Sequence, residues 1–463
     1  MSMELCGHIV VLGAGRSGRA VVEHVVAAVA QGAEARVTLV DGGSGSALEE
    51  RAAFLRTLGA NVVLGSAEIP ADADLIVASP GIPPSSTIMI AAHACGVPVI
   101  SELEFAYRVS SASWIAITGT NGKTTTTALV EHLLRESGIP AESVGNIGRA
   151  ATRVAGEAGP ATVLVAEVSS FQLALTEQFH PRVAVLLNIT PDHVDWHGSL
   201  EAYAADKARV FANQTRGDTA VIDIDDSGSA PNAALVEARG VDVRQVSLSQ
   251  SGGHALLDGD MLVLMVHDTR VPLVRRSDLR IRGEHNVSNA LAAAAAAYAI
   301  GARIDSIRTG LRTFEPIEHR LESVCVVRGV EYFNDSKATN PDAVLKALTA
   351  FEDRPLVVLL GGHNKGNEFE ALARAVCARC KAVVVFGESA GEFEAAFAAV
   401  DAGFRIARAD GMAGAVTAAA SVARAGDVVV LSPACASFDE FNDYEHRGRV
   451  FREMIRSLDA GEA

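Results

Sequence analysis

Gly119-Thr-Asn-Gly-Lys-Thr-Thr125 follows an apolar run, Trp114–Thr118, and leads into a segment with helical spacing, Thr124–Ser137. The two glycines let the backbone turn sharply and aim several N–H groups inward. The start of the helix adds partial positive charge. Lys123 can neutralise β- and γ-phosphates, and the Thr124 hydroxyl can hold Mg²⁺. The pattern is a shortened GxxxxGK[ST], with Ile117 where the usual form has glycine. Strand–loop–helix context favours an ATP phosphate site over a fortuitous turn. Gly119, Thr120, Asn121, Gly122, Lys123, Thr124 and Thr125 are its candidate residues.

A second glycine loop, Gly13-Ala-Gly-Arg-Ser-Gly18, matches GxGxxG after a strand-like run, and Asp41 ends the next such run. An acid there can take a ribose hydroxyl, so the motif alone suggests a dinucleotide. A nicotinamide oxidoreductase stays open on that ground. The loop itself specifies only a diphosphate at a helix N-terminus. A diphosphate-linked sugar fits it equally well.

Other candidates stand at the ends of apolar runs. Glu167 closes Val163-Leu-Val-Ala-Glu, and a carboxylate at the carboxyl end of a parallel strand beside a phosphate loop can hold Mg²⁺. Asp192 and His193, in Asn188-Ile-Thr-Pro-Asp-His, emerge at the same edge. Lys207 lies in a helical stretch, where a solvated lysine is the plainer reading. Arg320, in His319-Arg-Leu-Glu322, reads equally well as a surface residue. Residues 334–340, 361–365 and 432–441 are polar or small-residue loops after strand-like runs, which implies a ligand cleft.

The elements that must carry these groups fall into three successive α/β series. The 463 residues are 49% hydrophobic and only 5% aromatic, which suits parallel sheets of Val, Leu, Ile and Ala covered by helices. The expected architecture is a Rossmann-like domain over residues 1–103, a P-loop ATPase-like domain over 104–316, and a second Rossmann-like domain over 317–463. Residues 220–282 are expected to form a β-rich excursion. The net charge of −16 argues against a nucleic-acid partner, which requires a basic face. The six scattered cysteines suggest a reducing compartment. Cys377 and Cys380 have CxxC spacing but no second pair, so ordinary thiols at a helix end are expected. The start of the chain runs straight into a strand, and no signal peptide or membrane span is expected.

GTNGKTT, NITPDH, GEHNVSNALAA, HRLE, NDSKATNPDA and LSPACASFDEF occur in that order. Together they resemble the Mur ligase family, which builds the peptide of bacterial cell-wall precursors, and the similarity runs through nearly the whole chain. The last two motifs, with Ser79-Pro-Gly-Ile82, resemble the D-glutamate-adding branch. No Asp-Asn-Pro-Arg box of the diaminopimelate-adding branch is present.

The resemblance implies an ATP-dependent cytoplasmic ligase that joins D-glutamate to UDP-N-acetylmuramoyl-L-alanine through an acyl phosphate. It implies ATP and two Mg²⁺ ions, a monomer, and no membrane partner. Lys123, His193 and Lys207 become catalytic. Thr124, Glu167, His193 and Lys207 become metal-binding, with Lys207 carbamylated. Asn286, Arg320 and Asp335 join the ATP site. Ser17, Asp41, Ser79 and Asn146 would bind the sugar nucleotide. Thr339, Lys365, Ser437 and Tyr444 would bind D-glutamate, Tyr444 standing where relatives carry Phe. Another Mur-type or folylpolyglutamate-type amide ligase is the alternative within the class, and a non-catalytic nucleotide switch lies outside it.

Overall fold

The computed structural model describes residues 5–249, 252–351 and 354–459. Among them the strands form three sheets with helices between, and the expected α/β class holds throughout.

The first sheet contains β1 (Gly7–Leu12), β2 (Ala35–Asp41), β3 (Asn61–Leu64), β4 (Leu75–Ala78) and β5 (Val99–Ser101). Its order is β3-β2-β1-β4-β5, with every pair parallel. Ile9–Leu12 are almost wholly buried, as strands covered on both faces must be. The strand order reverses at β1, so the Gly13–Gly18 loop opens at a switch point. Gly18 packs so tightly that a Cβ there would lie 1.9 Å from the Gly13 carbonyl oxygen.

The second sheet contains β6 (Ser113–Thr118), β7 (Ala141–Gly145), β8 (Val163–Glu167), β9 (Val183–Leu186), β10 (Thr219–Asp223), β11 (Asp242–Ser247), β12 (Ala255–Asp258), β13 (Met261–Val266) and β14 (Thr269–Arg275). Its order is β14-β13-β12-β11-β10-β9-β6-β8-β7. Pairing is parallel from β7 to β12, and β13 and β14 add an antiparallel end. The β-rich stretch is therefore a continuation of this sheet. β6 lies between β8 and β9, so the loops after all three emerge at one edge. β7 escapes sequence reading because its composition, Ala-Glu-Ser-Val-Gly, lacks an apolar run.

These two sheets belong to one compact unit, which runs through Asp278 and includes Ser288–Arg312. Buried Glu104 ties it together. Its carboxylate accepts from the backbone N–H groups of Glu177, Gln178 and Phe179 at 2.9–3.0 Å and from Arg108 Nε at 2.7 Å.

The third sheet lies in the other unit, Leu279–Val287 with the chain from Thr313 onward. It contains β15 (Glu322–Val327), β16 (Val330–Asn334), β17 (Leu356–Gly361), β18 (Ala382–Phe386), β19 (Ile406–Arg408) and β20 (Val428–Ala434). The order is β15-β16-β20-β17-β18-β19, with β15 alone antiparallel to its neighbour. Cys380 is buried just past the helix Glu370–Arg379, and burial pushes its thiol up to about 12.

Replacing Gly18 with Ala should lower stability by about 1–3 kcal/mol, because the added methyl meets backbone. Gly15→Ala, with open space around the position, should cost much less. Melting temperatures of the two variants measure the contrast.

Candidate active site

The phosphate loop needs its glycines. Gly119 (φ 154°) and Gly122 (φ 86°) occupy the positive-φ region. A Cβ on Gly122 would also come within 2.4 Å of Asn289 Oδ1. Lys123 begins the helix Lys123–Glu136 and curls back over the loop. Its Nζ donates to the carbonyl oxygens of Gly119 and Thr120, each at 2.8 Å.

The end of β9 braces the loop from the side. Asn188 Oδ1 accepts from Asn121 N at 2.8 Å, and Asn188 Nδ2 donates to Asn121 O at 3.1 Å. Thr120 N donates to Asn188 O at 2.9 Å. Thr120 Oγ1 accepts from Thr190 N at 3.0 Å and lies 3.0 Å from the Tyr203 hydroxyl. Sequence reading singled out none of Asn188, Thr190, Tyr203 or Asn289, although three of them lie in quoted motifs. Their spacing from the loop is what hid them.

Lys207 is the largest departure from a plain reading. It lies on the helix Leu200–Ala208 and is only 2% exposed. Its Nζ donates to Gly119 O at 2.8 Å and sits 4.5 Å from the Tyr203 ring centroid. The Nζ atoms of two lysines therefore share one carbonyl oxygen. Burial pushes the Lys207 pKa well below the usual lysine value, and the charge of Lys123 pushes it further. Asp192 and Glu167 pull the other way.

Glu167, at the end of β8, is buried too. Its Oε1 accepts from Asn146 Nδ2 at 2.9 Å. Its Oε2 is buried with no hydrogen-bond partner among the described residues. An orphaned carboxylate oxygen is costly unless a cation meets it, so the residue fits a Mg²⁺ ligand. Thr124 lies in the first turn of the neighbouring helix. His193 adopts φ 50° and lies edge-on to Phe171, with ring centroids 4.8 Å apart. Its Nε2 is 3.6 Å from Asp192 Oδ2. No three His, Cys, Asp or Glu side chains converge as a metal cluster among the described residues. The set Thr124, Glu167, His193 and Lys207 contains only two such side chains.

At the first glycine loop, Asp41 is already engaged. Its Oδ2 accepts from Ala14 N at 2.7 Å and its Oδ1 from Gly43 N at 2.8 Å. Ser79 Oγ donates to Gly13 O at 3.4 Å. Ser17 sits half-buried in the first turn of the helix Arg16–Ala30, and Arg16 Nη1 donates to Gly148 O at 2.9 Å.

The second unit has its own constellation. Asp335 is buried, and burial pushes its carboxyl up to about 7 against the opposing pull of Ser432 and Arg320. Ser432 Oγ donates to it at 2.7 Å, and Leu321 N at 3.3 Å. Arg320 stands between two left-handed residues, His319 (φ 65°) and Leu321 (φ 44°), a strained stretch. Asn286 Nδ2 donates to Arg282 O at 2.7 Å. Thr339 precedes the helix Pro341–Leu348, which Asn340 caps. Lys365 is exposed and Ser437 buried. Their loops meet where His363 and Ala436 exchange backbone hydrogen bonds at 2.8 and 3.0 Å. The Tyr444 hydroxyl accepts from Lys337 Nζ at 2.7 Å. Arg447, which sequence reading missed, is fully buried and donates to Ser336 Oγ, Ser336 O, Cys435 O and Ala436 O. Nothing local in the sequence separates it from Arg449, which is exposed.

The Mur ligase middle-domain model matches residues 117–297, and the Mur ligase glutamate ligase domain model matches 319–435. A UDP-N-acetylmuramoylalanine–D-glutamate ligase from Pelotomaculum thermopropionicum is 43% identical over 458 residues, 98% of each chain. The chain belongs to the Mur ligase family. A protein of the same name from Salinibacter ruber is 42% identical over 459 residues, 97% of each chain. Solved Mur ligases share the fold at low identity. The UDP-N-acetylmuramate-alanine ligase of Thermotoga maritima aligns with a TM-score of 0.59 at 21% identity, covering 97% of this chain and 99% of that one. An Acinetobacter baumannii ligase named for adding D-alanyl-D-alanine gives 0.60 at 15%, covering 91% and 90%.

The buried lysine of this Mur ligase makes a stability prediction. Its folded-state pKa lies below the unfolded value of 10.5. Between the two, the unfolded chain binds more protons, so stability rises with pH. Lys207→Met removes that dependence. In carbonate-free buffer the variant should melt higher than the parent near neutral pH, with the gap closing toward pH 10. A gap constant with pH would contradict the assignment.

Proposed function

We propose that this Mur ligase joins D-glutamate to UDP-N-acetylmuramoyl-L-alanine at the expense of ATP, in peptidoglycan precursor synthesis. The observation that carries the ATP half is Lys123, whose ammonium curls over the glycine loop to the Gly119 and Thr120 carbonyls at a helix N-terminus, beside the unpaired oxygen of Glu167. A cation at a glycine loop that opens a helix favours phosphate. The names of the full-length relatives support the choice of amino acid and sugar nucleotide. The enzyme acts in the cytoplasm as a monomer.

The alanyl carboxylate oxygen attacks the γ-phosphorus of ATP, the bond to the ADP oxygen breaks, and an acyl phosphate forms. The deprotonated D-glutamate amine then attacks the acyl carbon, and inorganic phosphate leaves with the bonding electrons. Lys123 and the loop N–H groups orient the phosphates and offset the charge that crowds there. Thr124, Glu167, His193 and carbamylated Lys207 would hold two Mg²⁺ ions, which when bound supply further positive charge to the phosphoryl oxygens. The lowered pKa suits Lys207 to this. Its neutral amine adds to CO₂, losing one proton, and the carbamate replaces a buried cation with an anion. Asn286, Arg320 and Asp335 contribute to nucleotide binding. Ser17, Ser79 and Asn146 hold the sugar nucleotide at a loop that Asp41 braces, and Thr339, Lys365, Ser437 and Tyr444 hold D-glutamate.

The oxidoreductase reading weakens on Asp41, whose two oxygens brace the loops that a free ribose-binding acid would leave alone. A phosphate-release assay with UDP-N-acetylmuramoyl-L-alanine and a panel of amino acids tests the proposal. Release with D-glutamate and not with the other amines is expected, and release only with another amine would overturn the specificity. Lys207→Ala should reduce activity to background, with partial recovery on adding short carboxylic acids. A fully active variant would remove the carbamate from the mechanism.

A further inference from the structure

The residues that follow β9 include the least self-supporting segment near the site. Its helix, Val194–His197, is a single turn. Left-handed residues bound it on both sides, His193 at φ 50° and Gly198 at φ 82°. One turn cannot hold itself in water, since nucleation fixes several residues for one hydrogen bond. Something outside the turn must fix it, and with it the direction of His193.

The side chain of His197 is fully buried, at 0% exposure. Its Nδ1 lies 2.7 Å from Asp206 Oδ2, and its Nε2 lies 2.9 Å from Ser170 Oγ. A carboxylate can only accept, so Nδ1 donates to Asp206. In the neutral ring Nε2 then accepts the Ser170 hydroxyl proton. The ring stacks on Phe171, with centroids 5.5 Å apart and planes 14° apart, and meets Tyr203 edge-on at 5.2 Å. Both hydrogen bonds and the ring's orientation are thereby set.

The partners are what give this arrangement meaning. Ser170 is three residues past Glu167 and opens the helix Ser170–Ala174, whose entry is fixed by a Ser169–Gln172 capping box. Asp206 immediately precedes Lys207 on the helix Leu200–Ala208. His193 is four residues before His197. Three separate segments, each bearing one of Glu167, His193 and Lys207, converge on one imidazole.

We propose that His197 is a positioning residue for the metal site: by bridging Ser170 and Asp206 it fixes the spacing of Glu167, His193 and Lys207. This rests on the Mg²⁺ reading above. The competing role is that of a core-filling ring, which a phenylalanine would replace.

His197→Phe keeps the ring and loses both hydrogen bonds. Ser170→Ala removes one of them and leaves the histidine in place, which guards against a variant that does not fold. Two readouts apply to wild type and both variants. The first is hydrogen exchange of residues 191–198 without metal or nucleotide. The second is Mn²⁺ binding, followed by electron paramagnetic resonance with a non-hydrolysable ATP analogue present. Exchange in 191–198 should quicken by at least about tenfold in His197→Phe, reporting local opening. Mn²⁺ affinity should weaken by about 10- to 100-fold, the usual cost of losing a residue that orients ligands. Ser170→Ala should move both in the same direction by less. The half-saturating Mg²⁺ concentration for phosphate release should rise while the KM for D-glutamate stays constant. A variant that melts lower yet keeps wild-type Mn²⁺ affinity and wild-type exchange in 191–198 would overturn the proposal. If wild type binds no Mn²⁺, the metal reading itself fails. Unchanged exchange with intact Mn²⁺ binding in wild type would instead sink His197 alone.

Discussion

The site is organised by one carbonyl oxygen, that of Gly119, which accepts from both Lys123 and Lys207. The helix N-terminus and Lys123 concentrate positive charge there, and Asp192 and Glu167 offset it only in part. A phosphate over the loop would give Lys123 a charged acceptor in place of a neutral one, and charge-assisted hydrogen bonds are roughly twice as strong. Lys207, buried beside that charge, is pushed toward its neutral form. The constraint thus favours an anion on the solvent side and a neutral, nucleophilic amine on the buried side.

Maintaining that geometry is the task of the surrounding strands. β6 lies between β8 and β9, so the phosphate loop, Glu167 and the Asn188–Thr190 turn leave the sheet side by side. Asn188 makes a two-point contact with the backbone of Asn121, and a Cβ on Gly122, at φ 86°, would come within 2.4 Å of Asn289 Oδ1. The motif residues around the loop hold its shape. Even Glu167 depends on such packing, since Gly145 must be glycine for its backbone to pass 2.5 Å, measured from a would-be Cβ, from the Glu167 carbonyl oxygen.

These relations divide what the sequence makes legible from what it hides. The glycine loops could be read because positive φ and helix N-termini are set within a few residues. The α/β class could be read because buried parallel strands are near-continuous apolar runs. Lys207 could not. Its partner lies 88 residues away, and composition favours a solvated lysine until burial is known. Arg447 and Glu104 were hidden for the same reason. Each is a charged residue on a helix, and only tertiary contact shows that its hydrogen bonds join separate loops. β7 was hidden by its place at the sheet edge, where one exposed side removes the need for an apolar run.

Asp41 shows how a shared motif can carry different chemistry. In a dinucleotide site the acid after β2 is left free for ribose hydroxyls. Here its two oxygens take the N–H groups of Ala14 and Gly43, one in each of two neighbouring loops. It therefore acts as a brace between the glycine loop and the turn after β2. The diphosphate role proposed for the glycine loop calls only on backbone and helix terminus. A chain with net charge −16 must also supply positive charge locally to receive a polyanion, and Arg16 is the cation within that loop.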